Sequence, residues 1–184
     1  VNAASLATWA PEMHEYCRIR INQVSERHPS LIKNFPKSVF PTAAFNFRNV
    51  RTYKHRDVLN CPFGWCGITA LGRFNPKKGG HLVLQELKLV IEFPPCSTIL
   101  IPSAMITHCN TPVAEGDIRN LFTQYCAGGL FRYVDNGFMI DRVLCEKNPA
   151  KSKEMEALKA TRWQMGLGLF STLDDLKRRY KVVN

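Results

Sequence analysis

YKHRDVLN, residues 53–60, is the segment from which the architecture of this chain can be inferred. Alternate side chains of an extended segment point the same way, so His55 and Asp57 face one side. A second histidine from a later strand, His108, completes a set of two imidazoles and one carboxylate, which fits one face of an octahedral Fe(II) ion. The remaining positions stay open for a cosubstrate and O₂. We therefore expect an iron-dependent oxygenase whose fold brings two distant strands together.

Arg119 follows His108 by eleven residues, on the next expected strand. Its planar guanidinium can donate two parallel hydrogen bonds to a carboxylate, so we expect it to hold the far carboxylate of 2-oxoglutarate. The alternative is an exposed strand arginine in a surface ion pair. Asn46 and Arg48 lie on the strand before the segment and are candidates to touch the cosubstrate from the opposite wall. A strand hydrogen bond or a phosphate contact would explain these two residues equally well.

Other metal sites are also compatible with the sequence. His81 follows a double glycine and is the rival third ligand, whereas His14 and His28 lie in an expected helix. Cys61 and Cys66 could form a zinc site with a further partner. The chain has seven cysteines at irregular spacing, and we expect them to be mostly reduced, buried residues of an intracellular protein.

The charge of the chain favours a polyanionic partner. The sequence of 184 residues has 25 Lys and Arg against 15 Asp and Glu, a net charge of +10. Residues 147–184 hold nine basic and four acidic residues, so half of the excess lies there. Such an excess suits binding to nucleic acid, although a solvated basic surface is the alternative. No apolar run is long enough to span a membrane, and we expect no secretory signal, because the first residues lack a basic segment followed by an apolar run. Because the chain begins at Val1, we expect a fragment of a longer protein.

The hydrophobic pattern predicts one α+β domain that is mainly β. Residues 4–28 form a helix pattern with an apolar stripe at Met13, Cys17, Ile21 and Val24. Short strands separated by turn residues follow, at 43–47, 65–74, 81–84, 87–93, 98–102, 105–108, 118–126 and 130–134. Helices are predicted at 152–163 and after Thr172. We expect a helical flank at 1–42, a double-stranded β-helix (jelly roll) core at 43–146 and a basic helical flank at 147–184, in one compact domain.

Residues 45–48, 53–60, 67–72 and 102–111 together resemble the TET/JBP branch of 2-oxoglutarate dioxygenases, in particular the versions that accompany transposons in mushroom-forming fungi. The resemblance covers about residues 43–138, and the string His-Arg-Asp-x-x-Asn is its most specific part. It implies the double-stranded β-helix fold. It also implies stepwise oxidation of the methyl group of 5-methylcytosine, or of thymine, in DNA.

The resemblance assigns individual roles as well. It implies that His55, Asp57 and His108 bind iron, the catalytic metal, and that Arg119 binds 2-oxoglutarate. It further implies that Asn60 hydrogen-bonds a flipped base and that Tyr125 stacks on that base. The family often has a hydroxyl residue where this chain has Leu121, and Thr123 is the candidate replacement in cosubstrate binding.

The residue chemistry is compatible with the substrate-binding roles but does not require them. An amide both donates and accepts, which suits a base edge, and a methyl group inside a duplex reaches a metal only if its base leaves the stack. Trp65 is a second candidate for the stacking surface. The alternatives are a turn-forming role for Asn60 and core packing for Tyr125.

The sequence thus predicts an Fe(II)- and 2-oxoglutarate-dependent dioxygenase that acts with O₂ on methylated DNA in the nucleus, without a membrane partner. Phosphate contacts would come from basic residues near the site: Arg48, Arg51, Lys54, Arg56, Lys77 and Lys78. The alternatives are an oxygenase for N6-methyladenine, RNA or protein, a DNA-binding module without turnover, and a structural cupin-like domain.

Overall fold

The computed structural model describes residues 1–181. Within them the chain forms seven strands and seven helices. The strands are β1 (Thr42–Asn46), β2 (Cys66–Arg73), β3 (Leu82–Leu84), β4 (Leu89–Ile91), β5 (Thr98–Ile101), β6 (His108–Asn110) and β7 (Ile118–Tyr125). The helices are α1 (Asn2–Trp9), α2 (Pro11–Arg27), α3 (Gly128–Asp135), α4 (Asp141–Lys147), α5 (Pro149–Leu158), α6 (Arg162–Leu167) and α7 (Leu173–Tyr180). None of these helices is long and apolar enough to cross a membrane.

The strands form two antiparallel sheets, ordered β1-β7-β2-β5 and β4-β3-β6. An isolated antiparallel bridge joins His55 to His108 and adds one more position beside β6. Counted with this position, the chain has eight strand positions, and its two sheets have the strand order of a double-stranded β-helix. The second strand is reduced to that single bridge. The predicted α+β fold with a jelly-roll core is therefore confirmed.

The core of the β region lies between these two sheets. Ile68 and Ala70 of β2 pack with Leu82 and Leu84 of β3, and all four side chains are buried. Each pair is two residues apart on its strand and therefore faces the same side. This alternation leaves the neighbouring side chains on the outer faces.

The contacts between residues group the chain into two compact units. One consists of residues 1–2 and 40–127 and contains both sheets; the other, within the described residues, consists of 3–39 and 128–181 and is helical. Residues 128–146, which we had expected in the β core, form α3 and α4. That flanks and core act as one domain stays a prediction. Residues 182–184, the end of the expected basic flank, lie outside the described residues.

The strand predicted at residues 130–134 is wrong, because this segment belongs to α3. Phe131 and Val134 are its buried residues, and a spacing of three matches one face of a helix rather than one face of a strand. The helix predicted at residues 4–28 is two helices, with Pro11 in the first turn of α2. Its stripe of four residues is buried as predicted.

The C-terminal helix begins as the sequence indicates. The Thr172 hydroxyl accepts from the backbone N–H of Asp175, and the Asp175 carboxylate accepts from the backbone N–H of Thr172. This reciprocal capping satisfies two backbone donors that α7 would otherwise leave unpaired.

We expect replacement of Gly72 by alanine to destabilise the β unit. Gly72 lies in β2 at φ +112°, and an added Cβ would meet the carbonyl oxygen of Ile118 at 2.3 Å. The cost should be about 2 kcal/mol, measured as the free energy of unfolding in urea.

Gly116→Ala is the matched control, since Gly116 has φ +79° but no atom within 4 Å of an added Cβ. It should cost about 1 kcal/mol from backbone strain alone. Equal losses for the two variants would contradict the clash at Gly72.

Candidate metal and cosubstrate site

The two histidines of the candidate site are joined through their backbones. The N–H of His55 donates to the carbonyl of His108 at 3.1 Å, and the N–H of His108 donates to the carbonyl of His55 at 3.0 Å. Residues paired directly across two antiparallel strands project their side chains on the same side. The two imidazole rings accordingly lie 4.3 Å apart, centroid to centroid.

Each imidazole is oriented by a backbone carbonyl two residues before it. His55 Nδ1 lies 2.9 Å from the carbonyl oxygen of Tyr53, and His108 Nδ1 lies 2.9 Å from that of Ile106. Because a carbonyl can only accept, both Nδ1 atoms carry the proton. In the neutral rings both Nε2 atoms are then left with a free lone pair, the arrangement required of a metal-binding histidine.

The carboxylate of Asp57 lies beside the two imidazole rings. Its Oδ1 lies 3.4 Å from His55 Nε2, and the ligand atoms of His55, Asp57 and His108 all lie within 4.8 Å of one another. Two imidazole nitrogens and a carboxylate oxygen this close together could hold a metal ion between them. Nitrogen and carboxylate oxygen ligands in a two-to-one ratio suit Fe(II), so these residues fit that metal.

The carboxylate of Asp57 is held by Asn60, and Ser103 anchors both residues. The backbone N–H of Asp57 donates to the carbonyl of Ser103 at 3.0 Å. The Asn60 side-chain amide lies 3.3 Å from Asp57 Oδ2 and 3.1 Å from the hydroxyl of Ser103. Sequence reasoning gave Asn60 a role at the base and missed Ser103. Nothing in the local spacing indicates Ser103, which lies 43 residues away from Asn60.

The other metal sites considered above are not assembled. Among residues 1–181, the only group of three His, Cys, Asp or Glu side chains close enough to share an ion is His55, Asp57 and His108. His81 instead bonds with Thr111. Burial, followed by the charge of Asp57, raises the pKa of the Cys66 thiol to about 12.

These ligands line a cavity of about 800 Å³ inside the β unit. The volume falls in the range of sites for small molecules. Its walls come from both sheets, with Ile68 of β2 on one side and Leu82 of β3 on the other. All the exposed residues that line it belong to the segment 50–59, which we call the mouth of the cavity.

Arg119 brings a buried positive charge into this cavity. Its side chain is 3% exposed, and its guanidinium donates to the carbonyls of Gly80 at 2.9 Å and Val50 at 3.3 Å. Burial lowers the pKa of Arg119, and within residues 1–181 no carboxylate pairs with it. The alternative prediction, in which Arg119 is an exposed arginine in a surface ion pair, is therefore wrong. A buried guanidinium without a counter-charge fits an anionic ligand such as the carboxylate of 2-oxoglutarate.

The sheet alternation places three further candidates on the cavity wall. Thr123 and Tyr125 follow Arg119 at even spacing on β7, and Asn46 lies directly opposite Leu121 across β1 and β7. Leu121 faces the cavity as well, where the resembling family often has a hydroxyl. The cavity wall thus brings together the metal ligands, Arg119, Asn46, Thr123, Tyr125 and Asn60.

Arg48 and Trp65 are not among the residues that line the cavity. Strand β1 ends at Asn46, and Arg48 and Asn49 both have φ near +61°. The side-chain alternation that would align Arg48 with Asn46 therefore does not continue.

Asn110 is a site residue that sequence reasoning missed. Its side-chain amide donates to the carbonyl of Val50 at 2.9 Å, the same carbonyl that Arg119 contacts, and its Oδ1 accepts from the N–H of Thr52. It thereby fixes the mouth segment beside Arg119. Its position two residues after His108 was the sequence signal that could have identified Asn110, since this spacing places both side chains on the same face.

Arg56, expected at the phosphates, is engaged within the protein. Its guanidinium donates to the Thr107 hydroxyl at 3.0 Å and to Glu86 at 3.3 Å. Arg56 lies between the two ligands of its segment and Thr107 directly precedes His108. The contact therefore ties the two ligand-bearing segments together.

Comparisons with solved structures give partial likenesses at low identity. The chain is similar to NgTET1 in complex with 5mC DNA (14% identity, 60% of this chain and 47% of that one, TM-score 0.45). It is also similar to the viral collagen prolyl hydroxylase of Paramecium bursaria Chlorella virus-1 with 2OG (15%, 59% and 69%, TM-score 0.35). A third neighbour is an RmlC-like cupin protein of Desulfovibrio desulfuricans (18%, 52% and 95%, TM-score 0.31). The chain spans about half of the NgTET1 chain. No family model and no curated protein matches the sequence.

We expect Asn60→Ala to weaken divalent metal binding by about 10- to 100-fold, because the Asp57 carboxylate loses the amide that orients it. Titration with Co(II), followed by its absorption spectrum, measures this affinity without turnover. Asn75→Ala, at an exposed turn position of the same unit, is the control and should bind Co(II) like the wild type. Unchanged Co(II) affinity in Asn60→Ala would show that this amide does not position the ligand.

Proposed function

We propose that this chain is an Fe(II)- and 2-oxoglutarate-dependent dioxygenase that oxidises the methyl group of 5-methylcytosine in DNA. The observation that carries the proposal is the convergence of His55, Asp57 and His108 in one cavity with the buried, uncompensated charge of Arg119. Neither feature alone identifies an oxygenase. Together they match what a metal and a dicarboxylate cosubstrate would need.

The chain itself supplies binding and orientation. His55, Asp57 and His108 would hold the metal, and Arg119 would hold the far carboxylate of 2-oxoglutarate through two donors. Bound Fe(II), with 2-oxoglutarate and O₂, supplies the oxidising power that a C–H bond of a methyl group requires. Thr123 and Asn46, on the wall beside Arg119, are positioned to fix the cosubstrate further.

The cavity also suits a base that has left its stack. Tyr125 lines the wall and also packs against the core of the β unit, and its aromatic ring is the candidate stacking surface. Asn60 lies beside Asp57 and carries a side-chain NH₂ group and a carbonyl oxygen. An Asn60 that orients Asp57 can still offer its carbonyl oxygen to a base edge. A methylated base would place its methyl group toward the metal only after flipping.

The charge of the mouth supports a nucleic-acid substrate in particular. The mouth contains three basic residues and one acidic residue, Asp57, which faces His55, and Arg51 and Lys54 line the cavity. Cationic side chains around an active site attract phosphates with little regard to base sequence. Because the proposed substrate is DNA, we also propose that the protein acts in the nucleus.

Two other functions use the same features. An oxygenase that acts on N6-methyladenine, RNA or a protein side chain would use the same chemistry on a different substrate. A DNA-binding module without turnover would keep the basic mouth, and Leu121, in the place of a hydroxyl residue, is the feature that favours it. Mass spectrometry of products from methylated DNA and RNA separates the substrates, and succinate release separates the enzyme from the binding module.

Replacing His55 or Asp57 by alanine should abolish succinate formation on DNA that contains 5-methylcytosine, because two ligands are too few to hold the metal. His81→Ala is the matched control, since His81 is a half-buried histidine of the same unit outside the ligand set. It should keep wild-type turnover. Full activity of the His55 or Asp57 variant, with folding verified by circular dichroism, would refute the proposal.

Arg119→Met should weaken 2-oxoglutarate binding about ten- to a hundredfold, because a charge-assisted hydrogen-bond pair to a carboxylate is lost. The measurement is thermal unfolding with Mn(II), with and without 2-oxoglutarate. A ligand at a hundred times its Kd stabilises a fold by about 2.7 kcal/mol, so the wild type should show a clear rise in Tm.

Arg73→Met, at an exposed arginine of β2, should retain that rise. An equal rise in Tm for Arg119→Met would mean that Arg119 does not bind the cosubstrate.

A further inference from the structure

The turn between Asp57 and Asn60 exposes two large apolar side chains beside the candidate metal site. Val58 is 76% exposed and Leu59 is 82% exposed, and both line the mouth of the cavity. Neither side chain contributes to the buried core of the β unit. Exposed apolar residues are common singly, but an adjacent pair at the rim of a cavity suggests contact with a partner.

The turn that carries this pair is anchored at both ends. The N–H of Asp57 donates to Ser103, and the N–H of Asn60 donates to the carbonyl of Asp57 at 2.8 Å. Directly after the turn, the N–H of Cys61 donates to the carbonyl of Cys126 at 2.9 Å. The apolar tip therefore projects from a fixed base and would lose little conformational entropy on binding.

The basic residues around the tip indicate that its partner is a polyanion. Arg51 and Lys54 line the same mouth, and the Arg51 guanidinium lies 5.4 Å from the ring centroid of Tyr53, which is 76% exposed. The carboxylates that could neutralise them are engaged, because Asp57 faces His55 and Glu86 binds Arg56. Within residues 1–181 neither Arg51 nor Lys54 forms an ion pair.

We infer that Leu59, with Val58, is the wedge that enters a nucleic-acid duplex and fills the gap left by the flipped base. A base that enters the cavity leaves an empty step in the stack next to the mouth, where these side chains lie. Apolar side chains inserted between base steps are a general means of holding a duplex open. Arg51 and Lys54 bind the flanking phosphates, and the inference rests on the proposed action on DNA.

The test compares duplex with single-stranded DNA. A single strand has no stack to hold open, so the wedge matters for the duplex alone. The probe is a duplex with 5-methylcytosine and 2-aminopurine as its neighbouring base, because 2-aminopurine brightens when it is unstacked. The variants are Leu59→Ala and, as matched control, Leu87→Ala, a leucine in an exposed turn of the same unit away from the cavity.

Leu59→Ala should bind the duplex about tenfold more weakly than the wild type, with a smaller rise in 2-aminopurine fluorescence. Its affinity for the single strand and for Co(II) should stay within about twofold of the wild type. Leu87→Ala should behave as the wild type on both DNAs.

Equal loss on duplex and single strand, or no loss on either, would overturn the wedge while leaving the proposed oxygenase intact. Wild-type protein that binds and oxidises neither DNA would refute the proposed substrate and, with it, the wedge. A Leu59→Ala variant that loses a protein partner but keeps duplex binding would assign the tip to that partner and also overturn the inference.

Discussion

The pair of backbone hydrogen bonds between His55 and His108 is the interaction on which the site depends. Among the described residues, this pair is the only β-bridge that remains of the second strand of the jelly roll. Because the paired residues lie directly opposite each other, both rings emerge on the same side. Asp57 follows two residues later and adds the third ligand. A minimal piece of sheet thus sets the geometry of the metal site.

The buried side chain of Arg119 is a feature of this cavity that the stability of the fold alone would not favour. A buried guanidinium that only carbonyl groups compensate lowers the stability of the fold, and an apolar residue of similar volume would avoid that cost. Val50 provides one of those carbonyls, and Asn110 donates to the same oxygen. The orientation of Arg119 is therefore coupled to the mouth segment and to the strand that carries His108. An anionic ligand would complete the set of contacts.

The sequence predicted those parts of the site that follow from strand alternation. His55 and Asp57 are two residues apart, Arg119, Thr123 and Tyr125 follow one another at even spacings of four and two, and both sets line the cavity. Arg48 was predicted to lie on the same strand as Asn46, but that strand ends at Asn46, and the backbone of Arg48 has a positive φ. The contact of Asn60 with Ser103 joins residues 43 positions apart, so no local pattern contains it. Long-range contacts of this kind need the folded chain.

In the proposed function, the turn from Asp57 to Asn60 combines metal binding with recognition of the substrate, two roles that proteins often assign to separate elements. Its ends hold a metal ligand and the amide that orients it, and they are fixed by hydrogen bonds to Ser103 and Cys126. Its tip lies largely in solvent, so substitutions there leave those anchors in place. Metal binding and recognition of the substrate can then vary independently, although they are only one or two residues apart. A long flexible loop could not combine them, because movement of its tip would displace the ligand.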